Sequence, residues 1–201
     1  MLYNYKGCLL GFLIGNIAGN PFIGKTSEYV GTIIKDELIF KSNDKYNLKK
    51  YQISDDIEPI LAILRNIIKN KGYIFDNIVK IYIEWSYTDP FCSVNTLLKT
   101  IYSNKENYID IMKHSKEKNK FIYTNCFLLR MIPIALLCHN KTEDNIFELV
   151  SMECIISHPN IICIDAAIIY TNMLIDCINK DITKDHLFKN AINRCCKEET
   201  I

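Results

Sequence analysis

The stretch from residue 54 to residue 69 reads Ser54-Asp55-Asp56-Ile57-Glu58-Pro59-Ile60-Leu61-Ala62-Ile63-Leu64-Arg65-Asn66-Ile67-Ile68-Lys69. Ile60, Leu61, Leu64, Ile67 and Ile68 recur at steps of three and four, with Arg65, Asn66 and Lys69 on the opposite side, which is the period of an amphipathic helix. The same period continues through the rest of the chain. Ile78, Ile81, Tyr82 and Trp85 mark a second helix, closed by Asp89-Pro90. Further helices are expected at about 94–103, 126–139, 143–156, 160–179 and 184–196. Residues 24–51 carry weak helical phase, with a short extended piece expected at 29–34 and a Lys/Asn-rich loop at 41–50. The polar segment 113–120 reads as a solvated linker. With no repeat and no low-complexity tract, the pattern predicts an all-α fold in one domain spanning residues 1–201.

Composition limits the function classes. Hydrophobic residues make up 49% of the 201 and charged residues 23%, which excludes collagen-like, disordered and coiled-coil chains. Twenty-four Lys and Arg against 23 Asp and Glu give a net charge of +1, so no broad basic field faces a nucleic-acid backbone. No nucleic-acid partner is expected. Nine cysteines without a CxxC spacing lie largely in apolar runs, where a thiol behaves as a small hydrophobe, and they point to a reducing, cytoplasmic setting. Near the N-terminus, Gly7, Gly11, Gly15 and Gly19 recur every four residues. Such a stripe admits a close helix neighbour, so a buried first helix is expected rather than a cleaved signal. The apolar run beside it is too short to span a bilayer, and no membrane partner is expected.

Four polar clusters could carry chemistry. Ser54, Asp55 and Asp56 precede the apolar helix: they make a good helix start, and equally a set of hard oxygen ligands for Mg²⁺. Asn125 opens an apolar segment in which Arg130, one of three arginines in the chain, is followed by Pro133. Arg130 is either a surface or capping residue or a bidentate partner for a carboxylate or phosphate. Ser157-His158-Pro159-Asn160 forms a turn with Asn160 placed to cap the next helix, and His158 is a structural or a functional imidazole. The turn from Asp89 to Thr96 places Asn95 and Thr96 at a helix start.

Taken in order, these clusters resemble the ADP-ribosylglycohydrolase family. The Gly-rich opening helix is matched by Gly11 to Gly19, and the metal-binding Thr/Ser-Asp-Asp by Ser54, Asp55 and Asp56. The Pro-Phe-x-x-Gly-Asn-Thr turn is matched by Pro90, Phe91, Asn95 and Thr96. Asn125 through Pro133 matches Asn-Gly-x-x-Met-Arg-x-x-Pro, and Ser157-His158-Pro159 through Asp165-Ala166 matches Thr-His-Pro-x-x-x-x-x-Asp-Ala. The resemblance implies a compact orthogonal multi-helix bundle and Mg²⁺-dependent hydrolysis of the glycosidic bond in an ADP-ribosylated protein or related ADP-ribosyl substrate. It further implies catalytic Asp55 and Asp56, metal ligands Ser54, Asp55 and Asp56, and substrate contacts from Asn95, Thr96, Asn125, Arg130 and His158. The chain departs from the pattern where Asn16 stands in place of Asp, Ile23 in place of an acidic residue, and Val94 and Cys126 in place of Gly. The family's closing Asp-x-Asp-Thr/Ser block, which supplies the other half of a two-magnesium site, has no counterpart in the 201 residues. The expected fold is therefore C-terminally truncated, with an apolar face left for self-association. A non-catalytic protein that binds ADP-ribose or a protein partner is the alternative expectation.

Overall fold

The computed structural model describes residues 2–33, 41–54, 56–88, 100–101, 107–179 and 182–194. Among these the fold is all helix, with one isolated antiparallel bridge between Asn43 and Leu48. The helices are α1 (Leu2–Gly19), α2 (Ser27–Ile33), α3 (Ile57–Asn70), α4 (Phe75–Ser86), α5 (Tyr108–Lys118), α6 (Met131–Cys138), α7 (Glu143–Ile155), α8 (Ile161–Asn179) and α9 (Lys184–Arg194). A 3-10 turn, Cys126–Arg130, leads into α6. The helix expected at 94–103 falls mostly outside the described residues, as do Asp55, Asn95 and Thr96.

Two apolar clusters form the core. One unites α6, α7 and α8 through residues such as Met131, Ile134, Val150, Cys154 and Ala167. The other unites α3, α4 and α5 through Ile63, Ile78, Tyr82 and Ile111. Tyr73 packs against both. Because α8 touches α1, α6, α7 and α9, its 19 largely apolar residues serve as the strut of the assembly. Its length and apolarity also suffice to cross a membrane by composition alone.

Three expectations are corrected. Of the 29–34 segment, residues 29–33 are not extended but lie in α2, and residue 34 falls outside the described residues; the preceding Thr26 nucleates a turn: its Oγ1 accepts from Tyr29 N–H at 3.3 Å and its carbonyl from Val30 N–H at 3.0 Å. Residues 113–118 are not linker but the end of α5. Asn107 caps that helix by accepting from Asp110 N–H at 3.0 Å, and Ile111 and Ser115 bury one face of it. Finally, α1 is not buried, since none of its residues reaches that state. At each glycine of its stripe an added Cβ would meet nothing within 4 Å, so among the described residues the close approach that the stripe permits is not used.

Candidate active site

The Ser54 cluster is positioned by asparagines. Ser54 N–H donates to Asn16 Oδ1 at 3.0 Å, which fixes the carboxamide so that Nδ2 donates to Ser54 Oγ at 2.8 Å. Four residues further along the chain, Asn20 Nδ2 donates to the Gln52 carbonyl at 2.6 Å, and Asn43 Nδ2 donates to the Asn20 carbonyl at 2.7 Å. These bonds tie the 41–54 segment to the end of α1 and deliver Ser54, which is buried, to the start of α3. Asp56 occupies the N-cap position of α3 with helical backbone angles and makes no capping hydrogen bond. At the same end, Glu58 Oε2 accepts from Trp85 Nε1 at 2.6 Å, which sets α4 against α3.

By residue type alone the Ser54-Asp55-Asp56 run carries hard oxygen donors, and of its two carboxylates only that of Asp56 lies among the described residues. A hydroxyl and adjacent carboxylates followed by water is the ligand chemistry of Mg²⁺. Since Asn16 donates to Ser54 Oγ, one hydroxyl lone pair is already taken. Among the described residues no group of three or more His, Cys, Asp or Glu converges.

Arg130 and His158 are brought together, in the interior between the two apolar clusters. Arg130 Nε donates to Glu153 Oε1 at 2.6 Å, and both side chains are almost wholly buried. Glu153 also accepts from Tyr82 at Oε1 and from Tyr73 at Oε2, each at 2.6 Å. Arg130 Nη2 donates to Ser157 Oγ at 2.7 Å, and Ser157 Oγ lies 2.8 Å from His158 Nδ1. Because Arg130 fills Ser157 from the donor side, the buried hydroxyl proton goes to His158 Nδ1, which assigns the ring proton to Nε2. That N–H then donates to Thr124 Oγ1 at 2.8 Å, with Cys126 Sγ at 3.7 Å.

Burial, reinforced by the Arg130 charge, lowers the His158 pKa to about 3. The imidazole is therefore neutral at physiological pH. Burial first, and then the Glu153 carboxylate, push the Tyr73 and Tyr82 hydroxyls well above their ordinary range. The burial of Cys154 raises its thiol to about 12, which makes it an inert core group. Arg130 is thus a partner for a carboxylate within this chain, and His158 presents one N–H toward the Thr124–Cys126 turn. Asn125, in that turn, is exposed and makes no side-chain capping bond. Asn160 caps α8 as expected, accepting from Ile162 N–H at 2.9 Å.

Asn16, Ser157, Glu153, Tyr73 and Tyr82 were not foreseen as parts of these networks. For Glu153 a signal existed: it is a lone carboxylate between Val150 and Cys154, in a stretch of α7 that must bury its apolar side chains. Ser157 and Asn16 stand in stretches the sequence already marks, but their bonds to Arg130 and Ser54 span 27 and 38 residues, and Tyr73 and Tyr82 meet Glu153 across 80 and 71.

The family model described as ADP-ribosylglycohydrolase matches residues 2–200. The chain belongs to the ADP-ribosylglycohydrolase family. It is 27% identical over 184 residues to a protein of Acanthamoeba polyphaga mimivirus named "Putative ADP-ribosyl glycohydrolase", a match covering 84% of this chain and 53% of the relative. The chain therefore spans about half the length of that curated relative. For an ADP-ribosylglycohydrolase family member, the all-α architecture is the expected one, and the described residues have it.

Proposed function

We propose that the chain hydrolyses the glycosidic bond of an ADP-ribosylated protein or a related ADP-ribosyl substrate, with Mg²⁺ held by Ser54, Asp55 and Asp56. The family match over residues 2–200 carries this reading. A bound Mg²⁺ would polarise ribose oxygens and water at the start of α3. In that reaction the bond from the ribose C1″ to the leaving nitrogen or oxygen breaks through an oxocarbenium-like state, water adds to C1″, and its proton passes to the leaving group. Asn16 holds Ser54 in register, and the two aspartates supply the charge that faces the positive ribose. Asn125, exposed at its turn, together with Asn95 and Thr96, is assigned to substrate. Arg130 and His158 support the substrate side through the buried Glu153–Ser157 network, with His158 Nε2–H as the donor nearest the Asn125 turn.

A second reading is a protein that binds ADP-ribose, or a protein partner, without turnover. It is favoured by Asn16, which stands where the resemblance expects Asp and donates through Nδ2 to Ser54 Oγ at 2.8 Å. A reducing, cytoplasmic setting is part of both readings and is supported by the free thiols at Cys8, Cys126, Cys138, Cys154, Cys163 and Cys177. Self-association through the uncovered α1 is proposed with them, supported by exposed Leu2, Tyr3, Leu10 and Ile14.

Calorimetric titration with ADP-ribose, with and without Mg²⁺, tests the assignment together with release assays on modified proteins. Metal-dependent binding and turnover, both lost in Asp55→Asn/Asp56→Asn, are expected. Turnover unchanged in that double variant refutes the metal assignment, and metal-independent binding without turnover selects the second reading.

A further inference from the structure

A cavity of about 710 Å³ lies between α1 and α8, bounded by Gly7, Cys8 and Gly11 of α1, by Leu174 and Cys177 of α8, and by Ile132 of α6. It is large enough to admit a small molecule, and two thiols line it. Both are free in this structure, Cys8 half-buried and Cys177 exposed.

The register of the two helices brings these thiols toward each other. Asn4 Nδ2 donates to the Ile178 carbonyl at 2.7 Å, which pins the start of α1 to the end of α8. One turn further along α1, Cys8 acts electrostatically on Tyr170, which precedes Ile178 in α8. The helices therefore pass each other in opposite directions. Cys8 stands about 6 Å along α1 from Asn4 and Cys177 about 1.5 Å along α8 from Ile178, so the two cysteines are offset by about 4.5 Å along the shared direction. In any α-helix the Cα–Cβ bond tilts toward the N-terminus. That tilt carries the Cys8 side chain toward the level of Ile178 and the Cys177 side chain toward the level of Tyr170. In an antiparallel pair the two tilts close the offset from both ends, which is the approach a disulfide requires. The thiols also act on each other: burial first, and then Cys177, raise the Cys8 thiol above its ordinary range.

We propose that Cys8 and Cys177 form a redox pair whose disulfide fastens α1 to α8 and so governs how firmly Asn16 holds Ser54. α1 buries none of its residues, so a covalent bond at its contact with α8 reinforces a weak apolar one. Asn16 lies on the same helix and exchanges two hydrogen bonds with Ser54, so fixing α1 fixes Ser54 as well. The oxidant is a low-molecular-weight disulfide such as glutathione disulfide. The exposed Cys177 loses its proton, and its thiolate attacks one glutathione sulfur, breaking the S–S bond and releasing one glutathione. Cys8, deprotonated in turn, attacks Cys177 Sγ in the mixed disulfide and expels the second glutathione. The two protein thiols give up two electrons, glutathione disulfide is reduced to two thiols, and the two protons pass to the departing glutathiones. Excess reduced glutathione drives the same steps backwards.

The test treats the reduced full chain with glutathione disulfide and reads it by mass spectrometry after alkylation and digestion, with hydrogen exchange measured alongside. A Cys8–Cys177 cross-linked peptide from a monomeric chain is expected. Amide exchange in α1 should slow roughly thirtyfold or more, since a disulfide constrains the opened state by that order. Dithiothreitol should reverse both changes. Cys8→Ser and Cys177→Ser are each expected to abolish the cross-link and the slowing, with exchange in α8 kept at its reduced wild-type rate. A cross-link to a different cysteine, a disulfide between two copies, a glutathione adduct left on Cys177 without ring closure, or α1 exchange unchanged by the Cys8–Cys177 bond each overturns the proposal.

Discussion

Replacing Glu153 by Gln tests the buried network most directly. The carboxylate accepts from Arg130 Nε, Tyr82 and Tyr73, all at 2.6 Å, and no part of the side chain is exposed. The amide keeps one oxygen for these three donors and turns an NH₂ group toward the others. More costly still, it leaves Arg130, only 2% exposed, without its counter-charge. Removing one partner of a buried pair costs about 3–5 kcal/mol. That is a large share of the roughly 5–15 kcal/mol that holds a folded domain together. For a chain of this size the melting temperature should drop by about 10 °C. Urea denaturation of the wild type, Glu153→Gln, Arg130→Met and the double variant Arg130→Met/Glu153→Leu gives the coupling. The double variant should lose less than the sum of its parts by at least about 2 kcal/mol, because it no longer strands a charge. A loss below about 1 kcal/mol for Glu153→Gln, or additivity within about 0.5 kcal/mol, refutes the assignment of this pair as the joint between the two clusters.

Three further outcomes follow from the same contacts. His158 has a folded pKa of about 3 against an unfolded value of about 6.5, so the unfolded chain binds the extra proton between these limits and stability falls as pH drops through that window. The penalty is about 2 kcal/mol at pH 5; denaturation at pH 7.5 and pH 5 should show it in the wild type and not in His158→Gln, and equal pH dependence refutes it. Asn16→Asp turns the Ser54 hydroxyl into a donor to the new carboxylate, freeing both Oγ lone pairs, and should raise Mg²⁺ affinity about tenfold as one more charged group reaches the site. A calorimetric Mg²⁺ titration unchanged by the substitution would count against a cation at Ser54. Gly11→Ala and Gly15→Ala, whose new methyl groups meet nothing within 4 Å, should each stabilise the protein by about 0.5–1 kcal/mol, and a lowered melting temperature would mean that something packs on the stripe.

The helices written most clearly in the sequence are those whose apolar period answers to a single neighbouring face. α3 and α4 are of this kind, and Ile60, Ile78, Tyr82 and Trp85 all reach the core, although Ile68, expected on the apolar face of α3, is exposed and Asn66, expected opposite it, is buried. α2 and α5 were missed because caps rather than period start them: Thr26 in one case and Asn107 in the other. The glycine stripe suggested close packing, but spacing alone cannot say whether a neighbour arrives, and α8 does not come within contact of it. For the candidate site, the sequence marked Ser54, Arg130 and His158 as unusual residues in their surroundings. It could not reveal that Glu153, 23 residues on, neutralises Arg130, or that Asn16, 38 residues back, holds Ser54. Such pairings depend on how helices cross, and that geometry has no local signature.

The place of α8 at the hub has a consequence for how the protein breathes. A helix that touches four others cannot open without undoing them, so its amides should exchange with solvent only in global unfolding. α1 is the opposite case: it rests on α8 and on the 3-10 turn Asn20–Phe22 that follows it, and buries none of its own residues. It should detach as a unit of its own at a small fraction of the global free energy, taking Asn16 with it. Each such opening lets go of Ser54. The order at Ser54 is then set by the least protected helix of the fold, and hydrogen exchange in α1 becomes a clock for how often Ser54 is held in place.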